Sequence, residues 1–452
     1  MAHDALHEAR TVDSPILASS KGAGNEGKEH GDEGVGGQAG SSALERLPDE
    51  LLEVIFLDVV DDDKKAELLC ISKRLQPVVE RAFWSGLTTA WGQQAAVFQQ
   101  LAFRKDVTSL VRAFTYELDC SRPESTIEYE SSLIGAMGNL KSLAIWTTTA
   151  EGGIATFPAT LRQALRHLPH LIDLTIDSNV GMSFAGTHLD LEFPRLRHLT
   201  LTGPAGDFTR SLLTSPSLPL VNLSVNWIAD SQSVTPWLPW QRLLGLKVSY
   251  ALKYEKLEPF LSALANAVQS QAIHGPLPLR QLDFEGLCLF DISTQEASPA
   301  DHQAFIRRQL ELLDLLAQVR LERFAIQFSG EIEVPQTLPV WHSVLSLDLT
   351  GCTIRLGQAN ALPTLLTFLR ALPALRHLAL SATFNDDGSI TREFQDPLGD
   401  ASLLDHPNLA ALVLYLRQSK VLHLVWDNGR YVFHYVRQNT TEDFQVDRVS
   451  WW

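Results

Sequence analysis

The feature that most limits what this chain can fold into is a six-residue pattern: apolar, two variable, apolar, one variable, apolar. It returns throughout the chain from residue 140 onward. The copies are LKSLAI (140–145), LIDLTI (171–176), LRHLTL (196–201), LVNLSV (220–225), LLGLKV (243–248), LRQLDF (279–284), LERFAI (321–326), VLSLDL (344–349), LRHLAL (375–380) and LAALVL (409–414), with VRAFTY (111–116) as an earlier one. Successive starts from residue 140 lie 23 to 42 residues apart. Strand side chains alternate between two faces. The pattern therefore predicts short strands whose fourth and sixth positions point inward and whose third and fifth point outward. No such unit buries its apolar face alone, so each must stack on its neighbours.

Between the hexads lie stretches with Leu at i, i+3 or i+4: FPATLRQALRHLP, LEPFLSALANAV, HQAFIRRQLELLDLLAQV and ALPTLLTFLRALP. These predict helices packed against the sheet. Hexads and helices together resemble leucine-rich repeats of a degenerate kind. The resemblance implies an irregular solenoid of parallel strands with convex helices. In that family the ninth position prefers Asn or Cys to satisfy buried backbone groups. Asn179 and Cys352 fit the preference, with Thr148 and Thr383 as substitutes, and the remaining copies depart from it.

Before the repeats stands LPDELLEVIF (47–56), continuing to Val60 with Glu53 and Asp58 as its only polar side chains after Glu50. Those two residues are about 140° apart on a helical wheel. The helix therefore has no polar face and needs cover on two sides. Pro48 suits a first helical turn, and Asp49 and Glu50 suit its positive end. A second helix, AELLCISKRL, stops at Pro77, and a third segment, VVERAFW, follows.

LPDELLEVIF followed by LLCISKRLQPVVERAFW resembles an F-box over roughly residues 44 to 84, with Leu75 where many members carry Trp. The resemblance implies that Leu47, Pro48, Leu51, Leu52, Ile55 and Phe56, with Cys70 and Leu75, divide between a small core and a groove on a helical adaptor. That adaptor is the S-phase-kinase-associated protein, which links to the cullin and RING subunits of a ubiquitin ligase. The two resemblances together imply a non-catalytic substrate receptor of an SCF-type ligase. The alternatives are an adaptor-binding protein outside a ligase, or a repeat scaffold whose N-terminal helices merely cap it.

The expected organisation is α/β: a disordered tail (1–43), an F-box (44–86), a helical linker (87–108), the solenoid (109–420) and a C-terminal hairpin cap (421–452). The tail reading rests on Gly, Ser and charge enrichment that leaves little apolar area to bury. Its GxGxxG (Gly22, Gly24, Gly27) lacks the flanking strand and helix that phosphate binding needs. The cap reading rests on VLHLVW-DNGR-YVFHYV, where Asn428-Gly429 predicts a two-residue turn. That turn would pair Trp426 with Tyr431, Leu424 with Phe433, Leu422 with Tyr435 and Asp427 with Arg430.

Composition narrows the function classes. A net charge of −16 disfavours nucleic acid and anionic membranes, which select for clustered Lys and Arg. Four scattered cysteines read as reduced thiols in the cytoplasm or nucleus. No N-terminal apolar segment and no spanning run is legible. The catalytic and metal-binding spacings of common enzymes are missing, so no cofactor or metal is expected. The exposed sheet face is the expected target surface. Its candidates are Asp173, Asp177, His198, Asn222, Lys247, Asp283, Arg323, Asp348 and His377, an acid-rich set suited to a polar or basic protein surface.

Overall fold

The computed structural model describes residues 47–49, 51–52, 55–56, 73–88, 94–148, 155–178, 182–183, 193–203, 207–216, 218–227, 237–250, 257–289, 299–329, 338–383, 398, 407–428 and 431–451. The expected tail, Cys70 and Asn179 lie outside these residues. Two compact units divide the chain. Leu47 and Pro48 close the first, Met1–Pro48, and the second, Asp49–Trp452, holds every element described below.

The second unit is mixed α/β, built on a sheet of 14 strands that is mostly parallel. Its strands, in spatial order, are β1 (Gly86–Thr88), β2 (Ala113–Asp119), β3 (Ser142–Thr148), β5 (Asp173–Ser178), β7 (His198–Thr202), β8 (Asn222–Trp227) and β9 (Gly245–Tyr250). They continue with β10 (Gln281–Leu289), β11 (Arg323–Phe328), β12 (Ser346–Arg355), β13 (His377–Thr383), β14 (His423–Asp427), β15 (Tyr431–Val436) and β16 (Gln445–Trp451). Two short strands, β4 (Ala155–Thr156) and β6 (Met182–Ser183), pair separately. All neighbours from β1 to β14 are parallel, and β14–β15 and β15–β16 are antiparallel.

The hexads stand in register. The third position of each faces the third position of the next: Ala113, Ser142, Asp173, His198, Asn222, Gly245, Gln281, Arg323, Ser346 and His377 form one row. At each crossing the second-position carbonyl accepts two N–H groups from the next strand. Arg112 O takes Lys141 N at 2.7 Å and Ser142 N at 3.0 Å; Lys141 O takes Ile172 N and Asp173 N at 2.7 and 2.9 Å. The same fork runs on to Arg376 O, which takes Leu422 N and His423 N. Inward positions such as Leu199, Leu201, Leu246, Val248, Leu378 and Leu380 are buried in one continuous core. Each contributes roughly 1.5–3 kcal/mol from area removed from water.

Helices fill the connections: α1 (Gln76–Ser85), α2 (Gln94–Phe103), α3 (Lys105–Thr108), α4 (Glu124–Gly135), α5 (Ala159–Arg166), α6 (Asp207–Thr214), α7 (Leu257–His274), α8 (Pro299–Ala317), α9 (Ala361–Arg370) and α10 (Pro407–Gln418). Pro77 sits in the first turn of α1, where its missing N–H costs nothing. Among the described residues no helix is long and apolar enough to cross a membrane.

Three expectations are corrected. LAALVL (409–414) is not a strand but part of α10: Leu409, Leu412, Val413 and Leu416 are buried at i, i+3, i+4 and i+7. Six residues fit either period, and the longer window selects the helix. The next parallel strand is VLHLVW itself, with His423 beside His377. Within the hairpin, Trp426 pairs with Phe433 and Leu424 with Tyr435, while Asp427 faces Val432. Asn428 N donates to Tyr431 O at 3.1 Å, and Tyr431 N to Asn428 Oδ1 at 2.8 Å, so the reversal falls two residues later in register than Asn-Gly implied. A slip of two residues preserves which side chains face inward, so alternation alone cannot choose between the two registers. Finally, Cys352 lies within β12 rather than in a turn after the strand, where its thiol donates to Gln327 Oε1 at 3.3 Å, and the buried Thr383 hydroxyl has no hydrogen-bond partner among the described residues.

Both ends of the sheet carry specific fittings. Gly86–Thr88, at the expected junction of helical segments, is instead the first strand, and it covers β2 only from Ala113 to Thr115. Beyond it the Gln94 amide stands in for a strand: Nε2 donates to Glu117 O at 2.9 Å and Oε1 accepts Glu117 N at 2.8 Å. Such pairing satisfies an edge that is otherwise open to association. At the other end the buried Arg437 donates to the carbonyls of Val421 (2.6 Å), Arg417 (3.1 Å), Leu416 (3.3 Å), Ser419 (2.8 Å) and Thr440 (3.4 Å), and lies 4.6 Å from the Phe444 ring centroid. It ties β15 to the C-terminus of α10. Arg437→Met, which keeps much of the volume but none of the donors, is expected to destabilise this end by about 2–4 kcal/mol. Faster amide hydrogen exchange in β14 to β16, with β2 to β5 unchanged, is the measurement that checks it.

Candidate functional site

The outward side chains of the central strands enclose a groove of about 460 Å³. Register brings distant residues into it: His198, Asn222 and Gln281 from the third-position row, Ser224, Lys247, Asp283 and Asp348 from the fifth, with Arg323 and Ser346 on the far side. Six of the nine candidate target residues therefore line one groove: His198, Asn222, Lys247, Asp283, Arg323 and Asp348. Asp173, Asp177 and His377 lie on the same face outside that lining.

Electrostatics concentrate on Lys247. Its ammonium stands 3.1 Å from Glu285 Oε2 and 3.6 Å from Asp283 Oδ2, and Ser249 Oγ donates to Glu285 at 2.7 Å. Ser249's hydrogen bond, then Lys247, holds Glu285 below its ordinary range. Asp283 moves the other way, because burial outweighs the pull of Lys247. For Lys247 burial opposes the charge, but the hydrogen bond to Glu285 and the field of Asp283 prevail and raise it. Glu285 thus contributes stability above the ordinary carboxylate range and loses it as pH falls through its depressed folded value. Asp283 has the opposite sign: its raised value means that ionisation opposes the fold as pH rises. Asp348 is occupied locally, since its Oδ1 accepts Thr350 N at 2.9 Å and Thr350 Oγ1 at 2.7 Å.

On one flank Asn222 Nδ2 donates to His198 Nδ1 at 3.0 Å, which leaves the hydrogen on Nε2, 3.9 Å from Asp173 Oδ1. Gly245 makes room for this contact, because a Cβ there would stand too close to Asn222 Oδ1. Asp177 faces Trp146 and Thr202 across the ladder, and burial raises its carboxyl. On the other flank His377 stacks on His423 with centroids 4.6 Å apart. Burial, His423 and Arg323 together hold His377 below the ordinary histidine range. Its neutral form is favoured by the fold, so acidification through that range opposes folding.

Two residues of the outward sheet face escaped sequence reading. His423 was masked by assignment to a hairpin, and Trp146, 47% exposed, stands one step beyond the hexad on β3. Extending the alternation to the seventh position would have found Trp146. Two tryptophans from the segment before β9 pack against the fold: Trp240 is buried edge-on to Phe260 at 5.7 Å, and Trp237 lies under Arg210 at 5.5 Å. Among the described residues no group of three or more His, Cys, Asp or Glu side chains is placed to hold a metal ion.

At the N-terminal helix, Asp49, Leu51, Leu52, Ile55 and Phe56 are helical. Leu52 and Phe56 are 0% and 3% exposed, whereas Leu51 and Ile55 are 53% and 37% exposed. At about 100° per helical residue the two pairs, offset by one position, point along adjacent faces rather than the same one. Leu75 is buried. Asp49 Oδ2 accepts from Arg81 of α1 at 3.1 Å, tying the helix to α1.

Removing Lys247 takes away an attraction that favours the Asp283 carboxylate. Lys247→Met is expected to raise the Asp283 titration midpoint further, with Glu285 moving up beside it. Carboxyl-carbon NMR titration of both groups checks this, and an unmoved Asp283 would contradict it. No protein-family model matches this sequence, and no curated protein matches it significantly.

Proposed function

We propose that this protein is a substrate receptor of an SCF-type ubiquitin ligase. In this reading the helical segment around residues 47–85 is an F-box that docks the S-phase-kinase-associated adaptor, and through it the cullin and RING subunits. The hexad units form an irregular leucine-rich-repeat solenoid whose outward face holds a target protein. The observation that carries the reading is the split helix, in which Leu52 and Phe56 are buried while Leu51 and Ile55 stay open to solvent. A helix serving only as a cap for the repeats would bury its apolar positions against the first of them. A helix shared between an internal core and a partner leaves one apolar stripe uncovered.

The mechanism is proximity. A receptor of this kind does no bond chemistry; it raises the effective concentration of target lysines near a charged conjugating enzyme. The groove around Lys247, Asp283 and Arg323 supplies charges of both signs on a rigid sheet, which favours orientation and selectivity over raw affinity.

The test is co-expression with the adaptor followed by sizing. The Leu51→Ala/Ile55→Ala variant changes only solvent-exposed side chains, so it is expected to stay folded and lose the complex by at least about tenfold in affinity. Leu52→Ala is expected to lower the unfolding midpoint instead, by about 2–5 kcal/mol of local stability. Wild-type protein that is folded and forms no complex would refute the adaptor-binding reading.

A further inference from the structure

Alternation carried one step past the hexad places another row of side chains on the outward face. β2, β3 and β5 are parallel and in register there, so Glu117, Trp146 and Asp177 stand side by side. The indole is 47% exposed, and a carboxylate from the adjoining strand flanks it on either side. The flanking backbones are roughly 10 Å apart, two strand spacings, with the ring between them. The preceding outward row on the same strands, Thr115, Ala144 and Thr175, is made of small residues.

Both flanks of this row are tied down. The Gln94 amide clamps the Glu117 backbone at 2.9 and 2.8 Å, and Thr147 Oγ1 donates to Asp177 O at 3.2 Å. A platform fixed before its ligand arrives loses little to ordering. An indole presents the negative face of its quadrupole, which attracts a cation held within about 6 Å of the ring centre. Carboxylates on both sides add to that attraction, and the net charge of −16 draws a basic partner toward the chain. Among cationic side chains arginine fits best, because its planar guanidinium stacks on a ring while its fork of donors reaches carboxylate oxygens. The small preceding row leaves room for its aliphatic stem. Burial raises the Asp177 carboxyl, and a cation over the neighbouring ring would favour its charged form.

We propose that Trp146, with Glu117 and Asp177 beside it, is a docking point for an arginine side chain on a partner protein. This deepens the reading of the outward face as a target-binding surface and rests on that part of the proposed function alone. Adaptor docking by the N-terminal helix plays no part in it, so the two can fail separately.

The experiment follows the indole N–H signals of the full chain by NMR after isotope labelling of its tryptophans. The Trp146 signal is the one missing from Trp146→Phe. The probes are the peptide Gly-Gly-Arg-Gly-Gly and the same peptide with citrulline, which keeps the shape of arginine without its charge. The arginine peptide is expected to shift the Trp146 signal saturably, and more weakly at about 150 mM salt than at low salt. The citrulline peptide should bind at least about fivefold more weakly. Glu117→Gln/Asp177→Asn should weaken binding of the arginine peptide at least about fivefold at an unchanged unfolding midpoint. Should that midpoint fall, Glu117→Gln alone carries the test, with at least about a twofold loss expected. No shift of the Trp146 signal, equal binding of the two peptides, or undiminished binding by the charge-removed variant would overturn the proposal, whatever the adaptor does. A chain that binds the arginine peptide and forms no adaptor complex would refute the adaptor reading alone.

Discussion

Everything in the second unit depends on the backbone fork at the start of each strand. One carbonyl, always from the second hexad position, accepts two N–H groups from the next strand, and this repeats from Arg112 to Arg376 without a slip. Because only main-chain atoms take part, the side chain at that position is free to vary: Arg112, Ile172, Leu244 and Glu322 all serve. The fork sets register, and register is what turns a weak pattern into a core. With parallel strands about 4.8 Å apart, equivalent hexad positions must stack, so one Leu per strand becomes a continuous apolar ladder. The helices close over that ladder, and the connections between hexads can differ widely in length without disturbing it.

The same constraint builds the polar face. Residues that no local pattern connects, such as His198, Lys247, Asp283 and Arg323, come together because each holds an outward position on neighbouring strands. The charges there are arranged rather than merely present. Ser249 and Lys247 stabilise the Glu285 carboxylate, while burial works against that of Asp283 a strand-step away. A face with opposed tendencies at such short range responds to the charge of whatever approaches it. The ends of the sheet follow a different rule, since a ladder that stops must satisfy its last groups by other means. Gln94 does so with a side-chain amide at one edge, and Arg437 with a guanidinium at the other end.

Much of this was legible beforehand where a property is local. The hexads announced eleven inward and outward faces, and ten of those copies are strands; the four Leu-striped segments are helices. The exception, LAALVL, failed because its apolar residues satisfy both periods; the burial of Val413 and Leu416 with Leu414 exposed is the helical outcome. The hairpin failed in a related way. A reversal does follow Asn428, but two registers keep Trp426 and Leu424 inward, and the observed one is shifted from that which Asn-Gly implied. Six of the nine candidate groove residues proved to share a groove, because alternation is enough to nominate them.

The sequence by itself determined alternation, helix period and the absence of a polar face around Leu51 and Phe56, since each depends on residues within a turn or two of one another. Tertiary structure alone decided which sides of that helix are covered, which charges pair, and which carboxylates flank Trp146. Glu117, Trp146 and Asp177 come from three separate segments, brought together by strand stacking. The lengths of the connections do not encode that meeting, because they vary while the backbone register does not.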